Sequence, residues 1–480
     1  MVSFILSIIA LIVGYIVYGK IVEKCFGAND DIKTPAIRLQ DGVDFVPMPE
    51  WKIFLIQFLN IAGLGPIFGA IAGAMWGPSA FLWIVFGCIF AGAVHDYLSG
   101  MLSVRHDGAS ISEVVGRHLG NGFRNFMIVF SVVLLVLTGV VFVSGPAGIL
   151  HGLIDSVSKQ RFLYIIFAYY VLATLVPIDK LIGKVYPIFG ICLLVMAIGV
   201  GGALIIKGIP IPEVAGNLKN MHAGPSEHPL FPMLFITIAC GAISGFHSTQ
   251  SPLMARCITK ESQGRRIFLG AMIAEGIVAL VWAAAAMSYF GGVPELNNFM
   301  VAHNNNAGIV VNRVCNGLLG RVGGALAILG VVACPITSGD TAFRSARLTI
   351  ADSIKFDQTN IKKRLMISIP LFAVGFGLTL VNFEKIWRYF GWSNQTLATI
   401  VLWTGAMYLL KKGKQYLMAM IPAVFMTAVC TTYILVAPEG FKLSMAIGVS
   451  VGIIVAVISL LIFLKVVRKV KIKSDSNIEL

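Results

Sequence analysis

The stretch NIAGLGPIFGAIAG, residues 60–73, lies inside an apolar run long enough to cross a membrane, yet it holds four glycines and a proline. Each interior Gly costs a helix about 1 kcal/mol and a Pro about 3 kcal/mol relative to Ala, so a helix built this way is predicted to break. In lipid no water satisfies exposed N–H and C=O groups, and a break is tolerated only where it is buried in protein or lines a cavity. One other run is interrupted in the same manner: LFITIACGAISGFHSTQSPLMARC, residues 234–257, with Gly241, Gly245 and Pro252. Gly65, Gly69 and Gly73 also form a four-residue ladder of the kind that lets membrane helices approach closely. The first break therefore carries two readings, a ligand site and a packing face.

Working outward, the chain has 480 residues, 57% of them hydrophobic and only 12% charged, with a mean hydropathy of +0.85. Soluble domains carry roughly 25% charged residues, and repeated apolar runs of about 18 residues or more mark transmembrane helices. The fold class is an all-α polytopic membrane protein. Residues 2–22 run too long for a cleavable signal and are not followed by a small-residue cleavage site. Thirteen spans are predicted, beginning near Val2, Lys52, Ser79, Phe123, Phe162, Gly183, Phe231, Arg266, Leu318, Leu365, Arg388, Gln415 and Leu443. Odd-numbered connections and the C-terminal tail hold 28 of the 37 Lys and Arg, and even-numbered connections hold the other 9. By the positive-inside rule the N-terminus is outside and the tail cytoplasmic. The net charge of +14 thus reports topology in a cytoplasmic membrane rather than a nucleic-acid surface. Eight cysteines show neither C-x-x-C nor paired spacing, which points to buried thiols rather than a metal cluster or disulfide framework. No cofactor is implied.

The two broken spans are the second and the seventh, five apart, so they cross the membrane in opposite directions. This organises the chain as an extra helix and cytoplasmic loop (1–50), a first repeat of spans 2–6 (51–207) and an external loop (208–230). A second, inverted repeat of spans 7–11 (231–410) follows, then two further helices with a basic tail (411–480). Paired Gly/Pro-interrupted helices in corresponding positions of two halves are the sequence mark of a transporter's binding site. Residues 291–317, between spans 8 and 9, are expected to form short helices over the outer mouth.

Several motifs together resemble the carbon starvation protein A family: GLGPIFGAIAGAMWGP (63–78), GAVHDYLSGMLSVRHDG (92–108), SGFHS (244–248), CPITSGDTAFRSARL (334–348) and FGWSNQTLA (390–398). They stand in family order and cover most of the chain. The run HSTQSPLMARC after the second break departs from the family's more Ser/Thr-rich stretch. The resemblance implies the amino acid–polyamine–cation transporter superfamily, with its five-plus-five inverted-repeat (LeuT-like) core. It further implies a carrier of peptides or of pyruvate, the latter with proton symport.

On that architecture half-helix N-termini offer N–H groups and partial positive charge to a carboxylate. Substrate-binding candidates are the backbone at Gly63, Gly65, Gly69, Gly241 and Gly245 and the side chains of Asn60, Ser244, His247, Ser248 and Gln250. The resemblance also implies a cation position where sodium-coupled relatives bind Na⁺: Thr337 and Ser338, with carbonyls near Ala62, Gly65 and Cys334. Asp340 is a further coupling candidate, although with Arg344 at i+4 it could simply form an ion pair. Ionisable groups inside the membrane are costly and mark function. Glu275, His95, Asp96 and His247 are therefore proton-coupling candidates, against the plainer possibility that each is only hydrogen-bonded in place. Lys184 could supply the charge that some proton-coupled relatives put in place of sodium. Asn394 and Gln395 either line the path or join helices. Intramembrane protease motifs are absent: Ser244 sits in AISG rather than G-x-S-G, and TSGD lacks the first Gly of G-x-G-D. The expectation is a non-enzymatic secondary active carrier importing a small carboxylate such as pyruvate with H⁺ or Na⁺. A peptide permease is the alternative, and a channel or membrane sensor the alternative from another class.

Overall fold

The computed structural model describes all residues except 43, 155, 176–177, 357–359 and 477–480; at 153, 175, 178–186, 321–322, 326–329 and 471–476 it describes the backbone alone. Among the described residues every regular element is helical. Helical segments stand at all thirteen expected positions. Span 1 is Val2–Phe26, span 2 the pair Glu50–Ile61 and Gly65–Trp76, and span 3 Ser79–Arg105. Spans 4 to 6 are Asn121–Leu153, Lys159–Leu175 and Ile178–Ile206. Span 7 begins at Leu230–Leu234 and Phe235–Thr237 and resumes as Gly245–Ala255. Spans 8 and 9 are Arg265–Tyr289 and Gly323–Ser353; spans 10 to 13 are Ile361–Leu378, Phe383–Lys411, Leu417–Val436 and Met445–Ser476. By length and composition eight of these are sufficient to cross a membrane, or nine with the bent pair of span 2 taken as one. The others fall short because span 5 has 17 residues, span 7 is interrupted, and spans 10 and 11 are too polar.

Local chemistry sets the ends. Span 1 stops at Gly27, whose φ of 71° is the left-handed conformation that glycine adopts without a Cβ penalty. Asn382 opens span 11 by accepting from the Glu384 and Lys385 amides at 2.9 and 3.4 Å. Spans 3, 8 and 9 are the centre: 83%, 83% and 86% of their apolar windows are buried, against 17% for span 1 and 22% for span 13. The exposed Ile, Leu and Val side chains of spans 1 and 13 form the apolar periphery that lipid would cover.

Contacts between connections fix which share a face. The terminal ammonium of Met1 pairs with Glu213, and the Val2 and Ser3 amides donate to the same carboxylate at 2.9 and 2.8 Å. Asn297, on the short helix Val293–Ala302, donates to the carbonyls of Met75 (3.0 Å) and Met221 (3.3 Å). The N-terminus, residues 208–230 and this short helix therefore lie together. On the opposite face the Asn29 amide reaches Glu261 at 2.8 Å, and Glu261 pairs with Arg105. The segment 291–317 is helical as expected; its second helix, Ala307–Ala327, turns at Gly320 (φ 61°) before running on into span 9.

Candidate functional site

The interruptions in spans 2 and 7 are real and they meet. The two parts of span 2 are bent by 55° around Ala62–Leu64, with Ala62 at φ −81°, ψ 44°. Span 7 leaves helical geometry at Ile238 (φ −91°, ψ 74°) and resumes after Ser244 (φ −146°, ψ 122°). Glycine is required where they touch. A Cβ on Gly65 would run into the Cys240 side chain and one on Gly73 into Ile238, while one on Gly69 would sit 2.9 Å from the Thr237 carbonyl oxygen. The ladder is thus a packing face for the other break, while a Cβ on Gly63 would strike Phe142 of span 4. Gly241 faces Ala279 of span 8, at 2.5 Å from such a Cβ, and Gly245 faces the span 11 backbone, 2.6 Å from the Ala398 nitrogen.

Span 11 holds the second break open. Asn394 Oδ1 accepts from the Phe246 amide at 2.7 Å and from Ser244 Oγ at 3.1 Å, capping the resumed half of span 7. Gln395 Nε2 donates to the Phe235 carbonyl at 3.1 Å, and Trp83 Nε1 donates to the Ile238 carbonyl at 3.1 Å. The expected anion-binding N-terminus is therefore partly occupied by Asn394, which joins helices. Ser248 Oγ donates to the Gly245 carbonyl at 2.7 Å.

Beside this break the titratable candidates form one chain. His95 Nδ1 lies 2.7 Å from Asp96 Oδ1, and Asp96 Oδ2 lies 2.8 Å from His247 Nδ1. The other nitrogen of His247, Nε2, is 3.3 Å from Glu275 Oε2. All four residues are fully buried, and they come from spans 3, 7 and 8. Neither histidine bonds a mere carbonyl. Both share one carboxylate, which leaves His247 Nε2 to face Glu275 at a distance but not an alignment that makes a good hydrogen bond. A proton on Glu275 or on His247 Nε2 would occupy the same gap. Cys240 Sγ joins His247 and Glu275 within 4.8 Å, a donor set that in principle suits a borderline divalent cation. Its sulfur, however, is already engaged by Ser244 (3.6 Å) and Asn394 (3.5 Å), so the arrangement is a hydrogen-bonded network.

Span 9 abuts the first break. Ser338 Oγ donates to the carbonyls of Leu59 (3.0 Å) and Cys334 (3.1 Å), and Thr337 Oγ1 to that of Cys334 (2.7 Å). Cys334 Sγ lies 3.5 Å from the Ala62 carbonyl oxygen. Asp340 pairs with Arg344 at 3.3 Å. Lys184 is on the span 6 helix, but its side chain falls outside the described residues. Sequence reasoning missed Gln57. It lies one turn before Asn60, and all four amide atoms of the pair are enclosed without a hydrogen-bond partner among the described residues. The signal was there, two amides at i and i+3 in WKIFLIQFLN. An unsatisfied buried polar group costs about 1–3 kcal/mol, so this face of span 2 calls for a polar occupant.

The comparisons with known proteins agree with this geometry. Solved structures similar to the chain include a manganese transporter mutant from Eremococcus coleocola (13% identity, 90% of this chain and 99% of that one, TM-score 0.54). Another is MhsT in complex with L-phenylalanine (12% identity, 85% and 99% coverage, TM-score 0.56). At such identities the likeness speaks for the fold, that of known membrane transporters. An uncharacterized membrane protein of Haemophilus influenzae is 43% identical over 351 residues, covering 63% of this chain and 95% of the relative. The peptide transporter CstA of Bacillus subtilis is 28% identical over 526 residues, covering 88% of this chain and 87% of that protein. The model of the family described as carbon starvation protein CstA matches residues 1–145, 148–316 and 299–433. The motifs, the paired breaks and that match along nearly the whole chain place it in one family: the chain belongs to the carbon starvation protein CstA family of membrane transporters.

Proposed function

We propose that this protein is a secondary active carrier in the cytoplasmic membrane. It imports a small carboxylate such as pyruvate, or a peptide, by proton symport. The observation that carries the reading is the buried chain His95–Asp96–His247–Glu275 beside the span 7 break. Two carboxylates and two imidazoles share it, so it can hold one proton more or fewer without coming apart. Groups this costly to bury in a membrane protein belong to ion or proton pathways. Substrate would sit near the midplane against Asn60 and Gln57, whose amides supply both donors and acceptors. Rocking of spans 2, 3, 7 and 8 against the rest would then open each face in turn, within an inverted five-plus-five core whose N-terminus lies outside. The peptide alternative draws on the relatives named peptide transporter.

A second reading, Na⁺ coupling, is favoured by one contact. Ser338 brings its hydroxyl oxygen to the Leu59 carbonyl and, with Thr337, to that of Cys334, and the Ala62 carbonyl lies beside them at 3.5 Å from Cys334 Sγ; the hydroxyl and carbonyl oxygens are a hard set suited to a small cation.

Uptake of labelled pyruvate and of a labelled dipeptide into proteoliposomes, under an imposed pH gradient and separately an imposed Na⁺ gradient, tests this. Uptake driven by the pH gradient is the expected result; uptake driven only by Na⁺ overturns proton coupling. Glu275→Gln is expected to reduce pH-driven accumulation at least about tenfold, the scale of losing one charge-assisted hydrogen-bonding group. Exchange of labelled for unlabelled substrate, which needs no net proton movement, should survive.

A further inference from the structure

Spans 1, 2 and 8 border a groove of about 650 Å³, within the roughly 300–1,000 Å³ of ordinary ligand sites. Its floor is span 8, where Gly270 and Ala274, one turn apart, supply almost no side chain. Its walls are Ile12 and Tyr15 of span 1 and Trp51 and Phe54 of span 2. A Cβ on Gly270 would lie 3.5 Å from the Tyr15 ring and 3.7 Å from that of Phe54, so the two aromatic walls meet over the glycine. Span 1 is docked closely beside the groove: a Cβ on Gly14 would strike Ile89 of span 3, and one on Gly19 would sit 3.2 Å from Leu269 of span 8. The opening is therefore not the gap left by a loosely packed helix.

One end of the groove is charged. Arg266 Nη1 donates to Glu50 Oε1 at 3.0 Å, across the starts of spans 8 and 2. The Arg266 side chain is 64% exposed and that of Glu50 29%. Among the described residues neither side chain makes another hydrogen bond. An exposed pair of this kind contributes little by itself, and it leaves most of the guanidinium fork and one carboxylate oxygen open. Beside the pair stands Trp51, 62% exposed, the type of side chain that collects at the membrane–water boundary. Ile277, at the apolar end, is eleven residues beyond Arg266, about 16 Å along the helix. That is about half of a hydrocarbon core of about 30 Å, the depth of one leaflet.

We propose that this groove binds a phospholipid with a phosphoethanolamine headgroup, drawn from the leaflet on the side where Asn29 and Glu261 lie. One acyl chain lies along Ile12, Phe54 and Ile277, the phosphate accepts from Arg266, and the ammonium donates to Glu50. Lipid tails are as apolar as the groove, so a chain gains little by entering it and selection falls on the headgroup. Adjacent opposite charges match a headgroup that carries both, through charge-assisted hydrogen bonds. A choline headgroup has no N–H to give Glu50, and a glycerol headgroup has no cation. The site lies outside the transport machinery described above and does not depend on it.

The test is quenching of Trp51 fluorescence by phospholipids with brominated acyl chains, present as a minor component of phosphatidylcholine bilayers that hold the protein. The Trp51 signal is the difference between wild type and Trp51→Phe. Brominated phosphatidylethanolamine should quench it as though enriched at least about threefold over its share of the bilayer, the scale of two interfacial charged contacts. Brominated phosphatidylcholine and phosphatidylglycerol should quench in proportion to their share. Arg266→Gln and Glu50→Gln, both at the rim, should each bring phosphatidylethanolamine down to the level of phosphatidylcholine. Equal quenching by all three lipids overturns the site and leaves general lipid cover. Enrichment of phosphatidylglycerol instead, lost in Arg266→Gln alone, overturns the zwitterionic headgroup. Absence of quenching by every lipid means that protein, such as a second copy of the chain, covers the groove, and overturns the proposal as well. Binding is read without transport, so each of these outcomes leaves the carrier reading as it stands.

Discussion

Single residues decide how the breaks are held. Asn394 touches three points of the second one: the Phe246 amide, Ser244 Oγ and Cys240 Sγ. Asn394→Ala would leave a buried N–H unsatisfied, a loss of about 1–3 kcal/mol, so thermal unfolding in detergent should begin at a clearly lower temperature. Asn394→Asp, which keeps an acceptor for that amide, should recover part of it; equal loss in both variants would mean that the cap is not what Asn394 contributes. The FGWSNQTLA motif made this residue visible as a polar group in a span, but not as a cap, because its partner is 148 positions away and no local spacing reaches that far. Asp96, His247 and Glu275 were legible in the same partial way. Each stood out as an expensive group in an apolar run, whereas their adjacency depends on how three spans pack. Arg347 of span 9, only 4% exposed, escaped sequence reading altogether, since a basic residue near the end of a span looks like ordinary topology until its burial is known.

Among the elements, the broken spans were the most legible, because the cost of Gly and Pro in a helix is local. What the sequence left open was whether the Gly65–Gly69–Gly73 ladder binds or packs, and the contacts with Thr237–Cys240 answer that it packs. Gly69→Val should accordingly press on the Thr237 carbonyl and destabilise the protein by about 1–3 kcal/mol, as overpacking does, with a lower melting temperature as the readout. Normal stability would mean that the two breaks do not lie this close. The short helix Ile111–Leu119 shows a different device. Arg117 Nη1 approaches His106 Nδ1 at 3.2 Å, which selects the tautomer whose Nε2–H points to His118 Nε2 at 3.0 Å. Burial above all, then His106, Lys411, Arg117 and Lys412, pull His118 down to about 4; burial and Arg117 also lower His106, against the opposing charge of Asp107. A histidine with a depressed folded-state value binds its proton more readily when released, near its ordinary 6.5. The docking of this helix should therefore be complete above about pH 6.5 and weaken as pH falls toward about 4. Hydrogen exchange at residues 111–119 should speed up over that window in wild type and much less in His118→Gln; parallel profiles would remove the histidine pair as the cause.

For the whole molecule, sidedness offers the sharpest test, because two independent arguments bear on it. The expectation that odd connections face the cytoplasm rests on the Lys and Arg balance of 28 to 9, an argument that uses no structure. The contacts assign connections to common faces without saying which face is which. Met1 with Glu213 joins the N-terminus to the connection before span 7, and Asn297 joins the connection after span 8 to that same region. Asn29 with Glu261 joins the connections after spans 1 and 7, and Lys411 Nζ with the His118 carbonyl, at 3.2 Å, joins those after spans 3 and 11. Every one of these pairs has matching parity, as thirteen crossings require, even though only eight or nine segments qualify by length and apolarity alone. Spans 7 and 11 are enclosed by the other helices, whereas spans 5 and 10 expose apolar side chains, Tyr164, Ile165 and Leu172 on one and Met366, Ile369 and Val374 on the other, as lipid-facing segments do. Ser226→Cys and Lys260→Cys place exposed thiols on the two faces. A membrane-impermeant maleimide applied to intact cells, with labelling of the parent protein subtracted, should modify position 226 and spare 260 until the cells are permeabilised. The reverse pattern would keep the parity but invert the protein, so that the basic connections faced outward. Labelling of both positions in sealed cells would break the parity itself and remove at least one of the thirteen crossings, and with it the opposed orientation of the two broken helices on which the carrier reading depends.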